Sequence, residues 1–390
     1  MGPFDKRKRL LLYCRPSLLL CVGILIQPVP PLLTDVAKAA GVSIATASRI
    51  LTGADYPVTE RTRQKVLKAS AALGYRPNLI ARSLRREQTL TIGIIVENFL
   101  SPFIPPIIRG IQERLRQYDY FSIVLDSNWD PVLEADAIER LRMRQIDGII
   151  FVESYLRSSE EVAALIDKPH LFVHRLFHSL GANSIAPDDR TGARVAVRHL
   201  LQLGHRRIAF VNGLEGWDAT INRQAGYKEE LAVWNIALDP ALICQGDWQV
   251  QSGYVAAQEL FRLEERPTAV FAANDLMALG VIYAAQEVGL RVPSDLAIVG
   301  YDDRDFAGFV RPALTTVQMP CEKMGHVAAE SLMRLIRGEL DMVEPTLVQG
   351  ELVVRQSCGA NPGQWQFEPE RASLTRRHRL APIAANEFGA

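Results

Sequence analysis

Apolar residues recur at helical spacing in two short segments near the start of the chain. The first segment is predicted to begin with Thr34 as its N-cap and to end at Gly41, which tolerates a left-handed backbone. The second is predicted to run from a cap at Ser43 through residue 51. The inward-facing residues are Val36, Ala37, Ala40, Ile50 and Leu51. This pattern predicts a helix-turn-helix, although an ordinary αα-hairpin has the same spacing.

A third amphipathic segment, from Glu60 to Leu73, supplies enough apolar side chains to close a small helical core. We expect Gly74 to end this helix. The residues expected to face the core are Val66, Leu67, Ala69, Ala71, Ala72 and Leu73. The sequence therefore predicts an all-α domain of three helices.

From Leu90 onward the pattern changes to short, branched apolar runs that alternate with helical stretches. The predicted strands cover residues 91–96, 120–126, 147–153, 170–175, 207–212, 268–275 and 296–303. The predicted helices cover residues 107–118, 134–144, 191–203, 223–234, 253–263, 276–288 and 321–337. Such alternation is typical of parallel sheets covered on both faces, and its length favours two doubly wound lobes over one.

Polar residues follow the predicted strands at their carboxyl ends, where open parallel sheets bind ligands. They are Asn98, Ser101, Asp126, Ser127, Asn128, Glu153, Ser154, Asn212, Asn274, Asp275, Asp302 and Asp303. Because such groups pair well with hydroxyls, we expect a ligand rich in hydroxyl groups. Phe103 and Trp248 offer flat faces to a sugar ring, and Arg223 can bind a carboxylate, a phosphate or a hydroxyl. Taken singly, each aspartate is more typical of a turn or helix cap, and Trp248 of a core.

Length and composition place the chain among folded proteins of two or three domains. The chain has 390 residues, of which 48% are hydrophobic and 23% charged, and both fractions are ordinary. The five cysteines form no CxxC or Cys/His cluster, so that neither a disulfide framework nor a zinc site is indicated. They are Cys14, Cys21, Cys244, Cys321 and Cys358. We expect a reducing cytosol and no cofactor.

The two ends of the chain lack the patterns of the middle. Basic residues at positions 6–9 precede an apolar run at 18–26, as in an export signal, but nine residues are too few for a membrane span. The string QPVPPLL follows in place of a cleavage site. We therefore expect a disordered leader or a misplaced translation start, a flexible tail over residues 358–390, and no membrane partner.

Positive charge is concentrated around the predicted helix-turn-helix. Residues 34–88 contain ten lysines and arginines and four acidic residues, a net charge of +6, whereas the whole chain has a net charge of zero. A locally basic module is typical of phosphate binding, although a solvated charged face has the same composition. The residues of the second helix that stay available to a partner are Ile44, Ala45, Thr46, Ser48 and Arg49. A helix of this kind fits the major groove of DNA.

Three strings extend this interpretation, namely DVAKAAGVSIATASRIL, VTERTRQKVLKASAALGYRPN and LIARSLR. In this order and spacing, residues 41–84 resemble the lactose/galactose-repressor (LacI/GalR-type) family of bacterial transcription regulators. Two small departures are Ala47 in place of the usual Val and Thr52-Gly53 in place of Asn-Gly. The resemblance implies base-edge contacts by Ile44, Ala45 and Arg49, and phosphate contacts by Thr46 and Ser48.

A short basic segment follows Pro77, where Asn78 can cap a helix too short to be stable alone. In the family this is the hinge helix, which enters the minor groove as a pair, and Leu84 matches the apolar wedge that opens a base step. A plain basic linker is the alternative. The complete predicted DNA-binding set is Thr34, Ser43, Ile44, Ala45, Thr46, Ser48, Arg49, Asn78, Ala81, Arg82 and Leu84.

The resemblance continues to about residue 357, through NDLMALG, GLRVPSDLAIVGYDD, RPALTTVQMP and HLLQLGHRRIAFVNG. It implies a two-lobed domain that resembles a periplasmic sugar-binding protein, with three crossings between the lobes. The implied effector-binding residues are Phe103, Asp126, Asn128, Arg223, Trp248, Asn274 and Asp302. Pro187-Asp188-Asp189 departs from the usual Val-Asp-Asn, which leaves the role of this loop open.

The expected fold class is an N-terminal all-α helix-turn-helix domain followed by an α/β two-lobed, periplasmic-binding-protein-like effector domain with two doubly wound parallel sheets. The expected domains are a leader (1–31), the helix-turn-helix domain (32–76), a hinge helix or linker (77–89), the effector-binding and dimerisation domain (90–357) and the tail. Lobe 1 is expected at about 90–188 and 319–338, lobe 2 at about 189–318 and 339–357, with crossings near 186–189, 314–320 and 337–345.

The expected function is that of a DNA-binding transcriptional regulator, and more narrowly a repressor, of a carbohydrate-metabolism operon. A sugar or sugar acid is expected to control its affinity for operator DNA. The expected partners are an inverted-repeat double-stranded operator, the effector and further copies of the chain in a homodimer or tetramer, in the cytoplasm.

Two alternatives remain. An exported periplasmic sugar-binding protein explains the leader but not the basic helices. A sugar-modifying enzyme is disfavoured, because the histidines have no partnered nucleophile in a known motif and the chain has no GxSxG, P-loop or GxGxxG sequence.

Overall fold

The computed structural model describes residues 31–51, 57–76, 88–152, 166–174 and 183–360. The chain divides into two compact units between residues 87 and 88. Several predictions lie outside the described residues: the leader up to residue 30, Asn78, Ala81, Arg82, Leu84, Glu153, Ser154 and the tail from residue 361. Within the described part of the chain, no helix is both long and apolar enough to cross a membrane.

Three helices form the first unit: α1 at Leu33–Ala40, α2 at Ile44–Leu51 and α3 at Glu60–Leu73. Gly41 and Gly74 follow α1 and α3 with φ of 64°, the left-handed conformation that their positions predicted. Helix α1 begins earlier than expected, because its cap is at Leu32, whose N–H donates to the Asp35 carboxylate at 2.8 Å. The prediction of Thr34 as the N-cap is therefore wrong.

The core of the first unit is small, because two of its helices have only eight residues each. Its buried apolar residues are Val36, Ala37, Ala40, Ala47, Ile50 and Val66. Helix α3 buries only Val66 and Ser70, one turn apart, so that a single narrow stripe meets the other helices. The prediction that Leu67, Ala71, Ala72 and Leu73 face the core is wrong, since all four are exposed.

Two six-stranded sheets form the second unit, one in each of two lobes. The first has the order β11-β5-β4-β3-β1-β2, with all pairs parallel, and the second has the order β12-β10-β9-β8-β6-β7, with only β12 antiparallel. The strands of the first sheet are β1 Thr91–Val96, β2 Phe121–Asp126, β3 Gly148–Val152, β4 His170–Val173, β5 Ser184–Pro187 and β11 Thr346–Val348. Those of the second are β6 Ile208–Asn212, β7 Ile243–Gln245, β8 Ala269–Ala272, β9 Ala297–Asp302, β10 Thr315–Gln318 and β12 Leu352–Val353.

Helices pack against both sheets, and the alternation of strand and helix matches the prediction. The described helices are α4 Ile104–Gln117, α5 Pro131–Met143, α6 Asp189–Gln202, α7 Asp218–Val233, α8 Val250–Phe261, α9 Asp275–Glu287 and α10 Cys321–Ile336. The prediction of two doubly wound parallel sheets is confirmed. The strands absent from the prediction are β5, β7, β10, β11 and β12, which have two to four residues each.

The chain crosses between the lobes at three places. The first crossing joins β5 to α6, and the second joins β10 to α10, which packs against α4 and the first sheet. The third lies at residues 349–351, between β11 of the first sheet and β12 of the second. The predicted third crossing at 337–345 is therefore wrong, and the segment 339–348 belongs with lobe 1, because it leads into β11.

Backbone hydrogen bonds join the third crossing to the other two. Asp188 donates its N–H to the carbonyl of Val348 at 2.9 Å. Gln318 donates its N–H to the carbonyl of Glu351 at 2.8 Å. The third crossing is thus bonded on one side to the first crossing and on the other side to the second.

The second lobe extends further toward the C-terminus than predicted. Cys358 is buried, its Sγ lies 3.2 Å from Nε2 of His199, and Thr315 donates its hydroxyl to the same sulfur at 3.1 Å. The prediction of a flexible tail that begins at residue 358 is therefore wrong at its start.

Candidate functional site

Helix α2 has one buried side and one polar, accessible side. Ala47 and Ile50 pack into the core, whereas the predicted reading residues are exposed (Ile44, Ala45, Arg49) or half-buried (Thr46, Ser48). Ser43 caps the helix as predicted, because the N–H of Thr46 donates to its Oγ at 3.1 Å. The cap fixes the first turn of α2, the part of a recognition helix that reaches base edges.

Basic side chains are exposed on all three helices of the first unit. They are Lys38 on α1, Arg49 on α2, Arg61, Lys65 and Lys68 on α3, and Arg76 beyond it. Because these charges keep their hydration, they can exchange water and counterions for phosphate oxygens at little cost. The first unit therefore combines an accessible polar side of α2 with several exposed positive charges.

A cavity of about 700 Å³ lies between the two lobes of the second unit. The wall from the first lobe is aromatic and includes Phe103, Trp129 and His174. The wall from the second lobe includes Trp217, Trp248 and a charged cluster of Asp189, Arg223 and Asp302. Five of the seven predicted effector residues line this cavity: Phe103, Arg223, Trp248, Asn274 and Asp302.

Arg223, near the start of α7, is the centre of the charged cluster, and only 3% of its surface is exposed. Its Nε and Nη2 both lie 2.8 Å from Oδ1 of Asp189, and Nη1 donates to the carbonyl of Ala273. Nη1 is also 3.6 Å from Oδ1 of Asp302, and the guanidinium carbon lies 3.7 Å from the ring centroid of Tyr301. Burial opposes the charge, but the attraction of Asp189, Tyr301 and Asp302 outweighs it and raises the pKa of Arg223.

Asp302, at the end of β9, lies beside a second buried carboxyl group. Burial raises the pKa of Asp302 well above its usual value, Arg223 opposes this shift, and Asp275 adds to it by charge repulsion. Asp275 accepts a hydrogen bond from the Thr316 hydroxyl at 2.6 Å and another from the Arg304 N–H at 2.7 Å. Asp302 therefore brings a carboxyl group to the cavity, where its oxygens can form hydrogen bonds with a ligand.

Trp248 is held as a flat wall by its neighbours. Asn274 donates to the Trp248 carbonyl at 3.0 Å and caps α9 through Met277 N–H at 2.8 Å. An added Cβ at Gly213 would overlap the Trp248 ring, so only glycine leaves room for it. The indole Nε1 is buried without an acceptor among the described residues. Asn274 therefore positions the tryptophan, whose N–H can donate to a ligand oxygen.

The opposite wall contains an aromatic pair. The rings of Phe103 and His174 are 5.3 Å apart at an interplanar angle of 50°. Burial lowers the pKa of His174 to about 4, with Asp189 opposing and Arg223 supporting that shift. His174 is therefore neutral at physiological pH and adds a second uncharged ring to this wall.

Two predicted effector residues, Asp126 and Asn128, do not line the cavity. The Asp126 carboxylate accepts the N–H groups of Phe99 at 3.2 Å and Asn128 at 2.8 Å, so it joins two loops. Asn128 is an exposed turn residue with φ of 47°. This turn directs the next residue, Trp129, into the cavity lining instead.

The sequence prediction missed Asp189, His174, Trp129 and Trp217 as cavity residues. The unusual Pro187-Asp188-Asp189 stretch was the one signal for Asp189. The two tryptophans do not end a strand, and for this reason the strand-end rule cannot find them. His174 follows β4 directly, so the same rule could have found it.

A possible metal-ligand cluster lies elsewhere, on α4 and α10. Ligand atoms of Glu113, Glu322 and His326 all lie within 4.8 Å of one another. His326 is 3.2 Å from Glu113, and Arg109 pairs with Glu322. Because Arg109 already neutralises one carboxylate, the arrangement is better explained as an ion-pair cluster between two helices.

Comparison with known proteins finds a matching family for each of the two units. Residues 32–78 match the family described as bacterial regulatory proteins, lacI family, and residues 197–358 match the periplasmic binding protein-like domain. The ribose operon repressor of Haemophilus influenzae is 31% identical over 323 residues, which are 83% of this chain and 97% of that protein. The chain belongs to the lacI family of bacterial regulatory proteins.

Other proteins of the lacI family are similar to this chain over nearly the same length. The transcriptional repressor CytR of Escherichia coli is 35% identical over 331 residues, which are 84% of this chain and 96% of that one. A structure of the Lac repressor dimer bound to operator and an anti-inducer has a TM-score of 0.71 and 31% identity, over 85% of this chain and all of that one. A complex of the transcriptional regulator CelR with cellobiose has a TM-score of 0.60 and 31% identity, over 84% and 99% of the two chains.

These relatives are transcription regulators by name. The prediction of a DNA-binding transcriptional regulator of the lacI family is therefore confirmed, in preference to an exported binding protein. The predicted fold class, a helix-turn-helix domain with a periplasmic-binding-protein-like domain, is confirmed by the same matches.

Proposed function

We propose that this lacI-family regulator is a homodimeric repressor of a carbohydrate-metabolism operon, and that it acts in the cytoplasm on an inverted-repeat operator. A small carbohydrate bound in the cavity between its lobes controls its affinity for that operator. The observation that supports this best is the coexistence of an exposed, capped recognition helix with a polar and aromatic cavity between the lobes.

The DNA-binding half of the proposal rests on α2. Its exposed start fits the major groove, where the Arg49 fork matches the two acceptors of a guanine. The related Lac repressor has been seen as a dimer on its operator, which supports the same assembly here. We extend the proposed contacts to the hinge residues Asn78, Ala81, Arg82 and Leu84 on the family resemblance alone.

The effector half rests on the mixed character of the cavity. Phe103 and Trp248 supply ring faces from opposite lobes, and Asp302 and Arg223 supply hydrogen-bonding groups from one lobe. The related CelR is known with cellobiose, which is consistent with a carbohydrate in the same place. We propose Phe103, Trp129, His174, Asp189, Trp217, Arg223, Trp248 and Asp302 as the ligand-binding set, with Asn274 as a positioning residue.

The proposed regulation follows from the two lobes. A ligand that contacts both walls binds one relative orientation of the lobes more tightly than another and shifts the population toward it. In the proposed domain scheme, the segment 77–89 links the lobes to the DNA-binding unit and transmits that change. Lobe 1 then consists of about 90–188 and 319–348, and lobe 2 of about 189–318 and 349–360.

A direct test uses fluorescence anisotropy with labelled duplexes from the region upstream of the protein's own gene. The wild type should prefer one inverted repeat over a shuffled duplex, and Arg49→Ala should weaken binding to that repeat by roughly 10- to 100-fold, the worth of one bidentate base contact. Arg262→Ala, an exposed arginine on the second unit, is the matched control and should bind normally. Equal binding of the shuffled duplex by the wild type would contradict the proposal.

A further inference from the structure

The hydrogen-bond donors of Arg223 are largely engaged before any ligand enters. Nε and Nη2 both point to a single oxygen of Asp189, and Nη1 donates to the Ala273 carbonyl. The side chains of Arg223 and Asp189 are only 3% and 8% exposed, so solvent does not compete for this pair. A buried guanidinium paired in this way is a poor receptor for a second carboxylate.

Among the residues that the structure describes, the lining of the cavity has no surplus of positive charge. Its charged lining consists of four acidic residues, Asp188, Asp189, Asp218 and Asp302, and three basic residues, Arg190, Arg223 and Arg304. With all of them ionised, four negative and three positive charges leave a net charge of −1. If Asp302 keeps its proton, three charges of each sign leave a net charge of zero. In neither state is the lining positive.

The two other cations also have partners within the protein. Arg190 forms a two-pronged pair with Glu229 on α7. Arg304 lies with its guanidinium carbon 5.9 Å from the Phe103 ring centroid, and its charge opposes the rise that burial causes in the pKa of Asp302. An anionic ligand would therefore have to lose its hydration in a lining whose described charges of opposite sign nearly balance.

We propose that Asp189 makes the cavity selective for uncharged polyhydroxy ligands, and that sugar acids and sugar phosphates are excluded because Asp189 neutralises Arg223. A ligand hydroxyl can donate to the carboxylate oxygens of Asp189 and Asp302, while its ring lies against Trp248 or Phe103. This inference rests on the proposed carbohydrate effector, and it assigns to Asp189 the role of a specificity-determining residue.

The first experiment measures the wild-type protein against matched pairs of ligands by calorimetric titration and thermal shift. The pairs are D-glucose with D-glucuronate, D-galactose with D-galacturonate, lactose with lactobionate, and D-ribose with ribose 5-phosphate. We expect at least one neutral member to bind and to exceed its anionic partner by at least tenfold in affinity. Tighter binding by an anionic member, or no binding by any compound, overturns the inference.

The second experiment removes one negative charge at two places in the same cavity. Asp189→Asn keeps the shape and one acceptor oxygen but removes the negative charge that neutralises Arg223, so the ratio of neutral to anionic affinity should fall by at least tenfold. Asp218→Asn is the matched control, because among the described residues Arg223 pairs with Asp189 and Asp302 but not with Asp218. That ratio should change less than threefold in Asp218→Asn. An unchanged ratio in Asp189→Asn, or equal shifts in both variants, overturns the inference.

A third variant guards against misfolding. Asp189→Glu keeps the negative charge, so it should preserve the preference for neutral ligands even if its affinity is lower. If Asp189→Asn fails to fold, as judged by circular dichroism, a preserved preference in Asp189→Glu supports the inference and a lost preference overturns it. Operator affinity is measured separately in every variant. If the wild type has no affinity for operator DNA, the proposed repressor function is refuted. The inference about ligand selectivity is then still decided by the ligand titrations alone.

Discussion

Side chains of the same charge type stand in opposite environments in the two units. In the first unit, Lys38 and Arg49 are exposed on short helices around a small core. In the second unit, Arg223 is buried between Asp189 and Asp302 beneath a cavity. In the first arrangement the positive charges are accessible to a large anionic partner, whereas in the second the positive charge is neutralised by carboxylates of the protein itself.

This difference separates two kinds of recognition. Exposed charges bind by exchanging hydration and counterions, and therefore respond to salt. The effect of a buried charge on ligand binding depends on the charged partners fixed beside it. Ligand affinity at such a site therefore changes when a partner is removed and depends little on salt. The following predictions test that separation.

The largest effect is expected from Arg223→Ala. Asp189 and Asp302 would lose their common cation in a buried place, so the second unit should be destabilised by about 3–5 kcal/mol. Denaturant unfolding, followed with and without ligand, measures this change and should also show that ligand binding is lost. Arg223→Lys is the conservative comparison and should reduce the free energy of unfolding by less than Arg223→Ala does. A loss below about 1 kcal/mol in Arg223→Ala would show that the cluster is not a tightly coupled group.

Salt should separate the two binding activities. Between 50 and 200 mM salt, operator affinity should fall by roughly 100- to 1,000-fold, as for a protein that neutralises several phosphates. Binding of an uncharged ligand in the cavity should change by less than about twofold over the same range. Anisotropy and calorimetry in the same buffers compare the two directly. If operator affinity and ligand affinity changed equally with salt, the two units would not differ in how they use charge for binding.

Acid should act on the second unit through His199. Burial lowers the pKa of His199 to about 4, with His205 adding to the shift, whereas the unfolded chain titrates near 6.5. The unfolded state therefore takes up this proton first, and stability is lost as the pH falls from about 6.5 toward 4. The loss from this group is about 3 kcal/mol at most.

The measurement for His199 is the free energy of unfolding at pH 7.5 and pH 5 in the wild type and in His199→Gln. The variant should lose less stability than the wild type over this interval. An equally steep loss in the variant would mean that other groups cause the acid sensitivity.

The smallest effect is expected at the cap of α3. Thr59 accepts the N–H of Thr62 at 3.3 Å, and removal of such a cap costs about 1 kcal/mol. Thr59→Ala should therefore lower the melting temperature of the first unit and leave that of the second unchanged, while Thr59→Ser should behave like the wild type. Differential scanning calorimetry can follow both units. A shift in both transitions would show that the units do not unfold independently.

Much of the fold could be predicted from the sequence because long apolar runs have a clear period. The strands β1, β3 and β6 and all seven described helices of the second unit fall where the pattern placed them. Strands of two to four residues, such as β11 and β12, are too short to show an alternation. The third crossing was misplaced for that reason, since it lies between those two strands.

The candidate site was predicted less completely, because it depends on contacts distant in sequence. The strand-end rule found Asp302 and Asn274, but it could not show that Asp189 reaches Arg223 across 34 positions. It also chose Asp126 over Trp129, since a loop turn decides which of the two faces the cavity. The rule identifies the correct edge of a sheet, while the direction of each side chain depends on the local backbone.

The hydrogen bonds among the three crossings limit how the lobes can move. Val348 accepts a hydrogen bond from Asp188, and Glu351 accepts one from Gln318. The third crossing therefore cannot bend without displacing the first and second crossings. The three crossings are therefore joined to one another by backbone hydrogen bonds. We therefore expect any reorientation of the lobes to displace the three crossings together rather than one at a time.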